Sequence, residues 1–283
     1  MLKRSRSPLA GCRSALINAL AVSAPNLSLD RSGYVADVRE NLIESVTLAD
    51  FESDLRQGDG NELEGKFRAA HSSCALAVNT FAPFKSDPAA LPLPVGAGFN
   101  KLSFEQKCPH GLPGRRAPNL DVVIEGPGGI VAIESKCLEP LSRHVAYFSP
   151  AYEEGIQDFR RDTEWFAEML RLNANPNTYH WLDAAQLVKH AFGLAHTYPG
   201  RSVTLLYLFW EPSNPEEFPM FAEHREEVAQ FAASIAGGTP DFMAMSYPEL
   251  WSSWSARTSP EWIRGHVSRL KVRYGVNIQR RRH

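Results

Sequence analysis

The chain has 283 residues, 43% of them hydrophobic and 22% charged, with a formal net charge of -2 at pH 7. That balance gives a globular chain with a sizeable core and excludes a disordered or fibrous one. A basic chain would have pointed directly to nucleic acid; here the cations gather at the two ends instead. Lys3, Arg4, Arg6 and Arg13 come before any acid, and Arg264, Arg269, Lys271, Arg273 and Arg280 to Arg282 come after the last one, Glu261.

In chain order, the basic start runs into a moderately apolar stretch up to Ala24, interrupted by Arg13 and Asn18. It copies a signal or transit peptide weakly, and residues 1–34 read as an N-terminal arm, poorly ordered or partly helical. From Val35 to Leu55, Val38, Leu42, Val46 and Leu48 recur at roughly helical spacing. Gly58 and Gly60 end that segment. Asn61 suits an N-cap and Glu62 and Glu64 a first turn, so a helix is expected from there to about Asn79.

Pro- and Gly-rich residues make Ala82 to Gly98 a loop. Leu102 to Lys107 reads as a strand and Pro109 to Pro118 as a loop carrying Arg115 and Arg116. Leu120 to Glu125 and Ile130 to Lys136 read as strands around the turn Gly126-Pro127-Gly128-Gly129. Helices are expected over Ala151 to Leu172 and Asp183 to His196. Val203 to Trp210 is apolar enough for a strand covered on both faces. A helix over Phe221 to Ala236, a strand over Asp241 to Ser246 and a helix over Pro260 to Tyr274 complete the chain.

This alternation argues for an α/β domain with a mixed sheet between helices. No linker forces a second domain, so residues 35–283 read as one. No apolar run is long enough to span a bilayer. The four cysteines, Cys12, Cys74, Cys108 and Cys137, show no C-x-x-C and read as reduced thiols of a cytoplasmic protein. Cys108-Pro109-His110 has no matching second pair for zinc. His144, His180, His190 and His196 lack H-x-x-x-H spacing. G-x-S-x-G and G-x-x-x-x-G-K-[ST] are absent too. Trp251 and Trp254 suit packing better than base stacking.

The hairpin carries the chemistry. Folded at Pro127-Gly128, it sets Glu125 opposite Ile130, Val123 opposite Ala132 and Asp121 opposite Glu134. Directly opposed residues share a face. One face then shows Asp121, Glu125, Glu134 and Lys136, and the other shows only Val122, Ile124, Val131 and Ile133, which must be core. Two opposed carboxylates repel unless a cation neutralises them. Mg²⁺ suits such oxygen donors, with Mn²⁺ as substitute, because it takes one or two carboxylates plus a substrate phosphate. Lys136 projects on the same side and can hold the attacking water. Glu125, nearer the turn, reads as solvated. Alone, this spacing also fits an ordinary solvated hairpin face.

The segment Pro118-Asn119-Leu120-Asp121-Val122-Val123-Ile124-Glu125, followed by Val131-Ala132-Ile133-Glu134-Ser135-Lys136, resembles the signature of the PD-(D/E)XK nuclease superfamily. Glu64-Gly65-Lys66-Phe67 with Ser72-Ser73-Cys74-Ala75-Leu76-Ala77-Val78-Asn79 resembles the first helix of an uncharacterised bacterial restriction-endonuclease-like family. The likeness spans roughly Asn61 to Trp210, with the proline three positions before the aspartate. It implies a restriction-endonuclease-like core of helix, three strands, helix and strand. It also implies that Asp121 and Glu134 bind metal, that Glu64 joins them, that Lys136 is the catalytic lysine and that Gln157 matches a helix glutamine.

The expected activity is metal-dependent cleavage of nucleic acid, with DNA as substrate and a homodimer where both strands are cut. Arg115, Arg116 and Arg280 to Arg282 are candidates for phosphate contacts. The alternatives are a catalytically inactive nuclease fold that binds nucleic acid or a partner protein, and a small-molecule hydrolase using the same metal site.

Overall fold

The computed structural model describes residues 8–24, 27–57, 63–112, 117–155, 163–256 and 259–279. Five strands lie side by side in chain order: β1 (Lys101–Lys107), β2 (Asn119–Gly126), β3 (Gly129–Lys136), β4 (Val203–Phe209) and β5 (Asp241–Ser246). The β1–β2 and β2–β3 pairs are antiparallel, and the β3–β4 and β4–β5 pairs are parallel. Connection length explains the mixture. Residues 127–128 turn β2 back into β3 and residues 108–118 link β1 to β2, while parallel neighbours need a crossover. Helices α4 (Pro150–Gly155), α5 (Glu164–Ala174) and α6 (Ala184–Thr197) supply the crossover before β4, and α7 (Pro219–Ser234) supplies the next.

The hairpin register is the one its sequence predicts: Val123 pairs with Ala132, and Glu125 with Ile130. Val122, Ile124, Val131 and Ile133 face a core formed with α1 (Pro8–Ser23), α3 (Ser73–Phe81), α8 (Tyr247–Trp254) and α9 (Glu261–Tyr274). The opposite face, expected to be the open acidic one, is covered as well. Val123, Ala132, Leu205 and Tyr207 pack beneath α5, α6 and α7. The hairpin alone shows polar residues there, but the crossover helices land on that face and bury it.

Several helices differ from expectation. Residues 35–55 form 3₁₀ turns, Val38–Asn41 and Leu48–Asp50, before a short α2 (Glu52–Gln57). Asp37 with Glu40 and Thr47 with Asp50 each build a capping box, so the chain restarts a turn twice rather than running on. The helix expected from Asn61 begins only at Ser73, where Ser72 accepts the Ala75 N–H. Residues 63–65 are a turn. Asn61 and Glu62 lie outside the described residues. Residues 151–172 are not one helix, because Thr163, in extended conformation, caps a new one. Residues 8–23 form α1, whose Cys12 and Leu16 are fully buried in the core. Helix α8, not expected, is announced by the capping box Ser246 to Glu249; its Trp251 and Trp254 do pack inside.

Helix α6 is held from both ends. At its entry the Glu227 carboxylate of α7 accepts the N–H groups of His180, Trp181 and Leu182 at 2.8, 2.8 and 3.0 Å. Asp183 then caps the Gln186 N–H at 3.0 Å. Near its exit, Gly193 lets the helix close onto the β1–β2 connection, where a Cβ would stand 2.3 Å from the Cys108 carbonyl oxygen. Gly193→Ala is therefore expected to cost about 1–3 kcal/mol of stability by overpacking, read as a lower denaturant midpoint.

Two buried histidines make the fold acid-sensitive. Burial, with Arg225 and His144, pushes His224 down to about 3, beside the Tyr207 hydroxyl at 3.1 Å. Burial also lowers His266, which lies 3.0 Å from the Thr80 carbonyl and 3.0 Å from the Ser45 hydroxyl. The unfolded chain takes up these protons near pH 6.5, and the folded chain only at lower pH. Stability is thus full above about pH 6.5 and falls as the pH drops toward 3, by about 1 kcal/mol per pH unit for each fully shifted histidine. Denaturant unfolding at pH 7 and pH 5 is expected to show this loss, and His224→Gln to flatten it.

Candidate active site at the ends of β2 and β3

The β2–β3 ladder stops at Val122–Ile133. Beyond it the Ser135 N–H donates to Asp121 Oδ2 at 2.7 Å, so the carboxylate itself holds the strand ends together. Strand alternation then turns Glu134 and Lys136 to one face and Ser135 to the other. Ser135 is fixed on its side: Tyr247 Oη lies 2.6 Å from its hydroxyl, which donates to the Ser73 carbonyl at 3.1 Å. The middle residue of Glu-Ser-Lys is therefore a pin that sets the direction of its two neighbours.

Glu134 is only 2% exposed. The Lys136 ammonium lies 2.5 Å from Glu134 Oε1 and donates to Gln186 Oε1 at 2.8 Å. His190 Nε2 stands 2.9 Å from Glu134 Oε2 but off the line of a hydrogen bond, and its Nδ1 has no hydrogen-bond partner. Burial works to raise the Glu134 carboxyl, but Lys136 and His190 outweigh it and hold it at about 2. Burial likewise works against the Lys136 charge, and Glu134, Glu139 and Asp121 overcome it to keep the ammonium protonated. Asp121 goes the other way. Burial, then the charges of Glu134 and Glu105, hold it well above the usual carboxylate range, against Lys136 and the Ser135 N–H.

The structure thus gathers Asp121, Glu134 and Lys136. Glu64 lies in an exposed turn ahead of the 3₁₀ turn Lys66–Arg68, not on a helix, and none of these bonds reaches it. Gln157, Arg115, Arg116 and Arg280 to Arg282 lie outside the described residues. Glu125 pairs with Lys101 at 2.6 Å near the hairpin turn. Sequence reasoning missed Gln186 and set His190 aside for want of H-x-x-x-H spacing, although a signal existed. They sit one turn apart on α6, so they mark polar positions on an otherwise buried helical face.

Asp121 and Glu134 offer the oxygen donors that a hard divalent cation takes. Asp121 and Glu134 bring two carboxylate groups to one place, and the Asp121 carboxyl is out of balance with its surroundings. Among the described residues no three His, Cys, Asp or Glu side chains are gathered for a metal ion. Mg²⁺ takes one or two carboxylates and fills its shell with water and phosphate oxygen.

A family model described as Restriction Endonuclease associating with ARP matches residues 18–275. The chain belongs to the REase-ARP family. No curated protein and no solved structure matches it. The REase-ARP match takes in all five strands and α2 to α9, and so the whole Asp121, Glu134 and Lys136 group. The restriction-endonuclease-like architecture that the hairpin signature implied is the one this REase-ARP chain has: a mixed sheet flanked by helices. Among the described residues no helix is long and apolar enough to cross a membrane.

Proposed function

We propose that this chain is a Mg²⁺-dependent deoxyribonuclease that hydrolyses phosphodiester bonds, with Asp121 and Glu134 as its cation-binding carboxylates. The observation carrying the reading is the convergence of these two acids with the Lys136 ammonium at one end of β2 and β3. A divalent cation there supplies positive charge against the phosphoryl oxygen and makes nearby water more acidic. Lys136, held between Glu134 Oε1 and Gln186 Oε1, has its third N–H left to orient the attacking water. His190 stands beside Glu134 on the helical side. The helices over this face keep bulk water away, which strengthens each charge interaction.

The family description pairs a restriction endonuclease with ARP. We carry that pairing to this chain as an association with ARP that directs cleavage. The test is cleavage of supercoiled plasmid and single-stranded DNA with Mg²⁺, Mn²⁺ or EDTA, each with and without ARP. Metal-dependent cleavage by the wild type that Asp121→Ala lacks supports the reading. No cleavage under any of these conditions overturns it.

A further inference from the structure

Between β3 and α4 the chain runs beside α6 as a strap. Its exposure alternates. Arg143, Val145 and Tyr147 are exposed, Val145 at 62% and Tyr147 at 70%, while His144, Ala146 and Phe148 are partly or fully buried. That is the period of an extended segment. The His144 N–H donates to the His180 carbonyl at 2.9 Å and the Ala146 N–H to the Pro176 carbonyl at 2.8 Å, which fixes the backbone.

The strap is pinned to α6 at two places. His144 Nδ1 lies 3.6 Å from Asp183 Oδ2. The Lys189 ammonium lies 5.2 Å from the centre of the Phe148 ring and 6.0 Å from that of Tyr152. Gln186, which accepts from Lys136, sits between those two pins, about 4.5 Å of helix rise from each. The strap therefore borders the Lys136 site. Neither Arg143 nor Lys189 has a carboxylate at ion-pair distance among the described residues. Burial works against the Lys189 charge, and Asp183 works for it.

Resting on the nuclease reading above, we infer that the strap is a platform for a single nucleic-acid strand, with one base stacked on the Tyr147 ring and flanking phosphates on Arg143 and Lys189. The charges choose the occupant: two cations without acid partners suit an anionic backbone, and phosphate contacts of this kind carry most of its affinity. The ring chooses the form of the strand. A duplex keeps its bases stacked on one another, whereas a single strand offers a free base face to an exposed aromatic ring at every nucleotide. Because the strap backbone is already bonded to residues 176 and 180, presenting the ring requires little further ordering. A strand laid there passes the Lys136 site at Gln186.

The test uses the full chain with Ca²⁺ in place of Mg²⁺, and reads fluorescence anisotropy of a labelled oligothymidylate strand and of a labelled blunt duplex. Tyr147→Ala is expected to weaken binding of the strand by about 5–150-fold, the loss of one base–aromatic stack, and to leave the duplex nearly unchanged. Tyr147→Phe keeps the ring and is expected to bind the strand like wild type. Arg143→Ala is expected to lower the slope of log affinity against log salt by about 0.7, one single-strand phosphate contact. Both side chains are exposed, so melting temperatures should stay at the wild-type value. If Tyr147→Ala binds the strand like wild type, or weakens strand and duplex alike, the platform is overturned, and the nuclease reading stands as long as wild type still cuts DNA with Mg²⁺. If Tyr147→Ala keeps the strand but loses ARP, the strap is a protein interface and the platform is again overturned. If wild type neither binds nor cuts any DNA, the nuclease reading fails and this inference fails with it.

Discussion

Lys136→Ala is expected to lower Mg²⁺-dependent nicking of supercoiled plasmid by about 10²–10⁴-fold, the range for losing one positioned proton-transfer or charge-stabilising group. The reason lies in how the ammonium is held. Glu134 and Gln186 fix two of its contacts, and Ser135, pinned to Tyr247 and Ser73, fixes the strand that carries it. The same change strips buried Glu134 of its nearest cation, so some stability goes with the activity. Lys136→Arg separates the two effects. It keeps a charge beside Glu134 and is expected to recover much of the melting temperature. It is not expected to recover the rate, because a planar guanidinium does not reproduce a compact ammonium. Single-turnover cleavage below the melting range of each variant is the measurement. An Ala variant that cuts at the wild-type rate would remove Lys136 from the mechanism.

Arg273→Ala is expected to cost about 3–5 kcal/mol of stability, because it leaves three buried acceptors unpaired at about 1–3 kcal/mol each. Thermal melting would show it as a fall on the order of 10 °C. The residue belongs to the basic C-terminal set in the sequence, yet it is 2% exposed. Its Nη2 donates to the Ala70 carbonyl at 2.8 Å and to Asn41 Oδ1 at 3.0 Å, and its Nη1 to the Leu16 carbonyl at 3.3 Å. The guanidinium lies over the Tyr274 ring, 4.6 Å from its centre. Asn41 in turn donates to the Phe67 and Ala69 carbonyls. One cation thus ties α1, the 3₁₀ turn Val38–Asn41, the chain at Ala70 and α9 together. Arg273→Met keeps the volume but leaves three carbonyl-type acceptors unpaired, and is expected to fall between wild type and Ala. A melting temperature unchanged in Arg273→Ala would show that α9 docks by its apolar face alone.

The sequence by itself determined the hairpin and its register. Asp121, Glu134 and Lys136 lie within one supersecondary unit whose turn sets the register, and period-two alternation then decides which side chains share a face. The same local logic determined β4, β5, α6, α7 and α9, where apolar period and end signals agree over the whole element. It failed where short caps compete with periodicity, as at Asp37 and Thr47, because one capping box outweighs a weak helical period over a single turn.

Only the tertiary structure decided what meets the hairpin. Gln186 and His190 arrive from α6, remote in sequence from Glu134, and no local pattern encodes which helix a crossover lays on which face. The burial that raises Asp121 and the choice of Arg273 as a core cation come from the same source. They depend on which surfaces the packed helices exclude from water, and that is a property of the assembled layers rather than of any one segment.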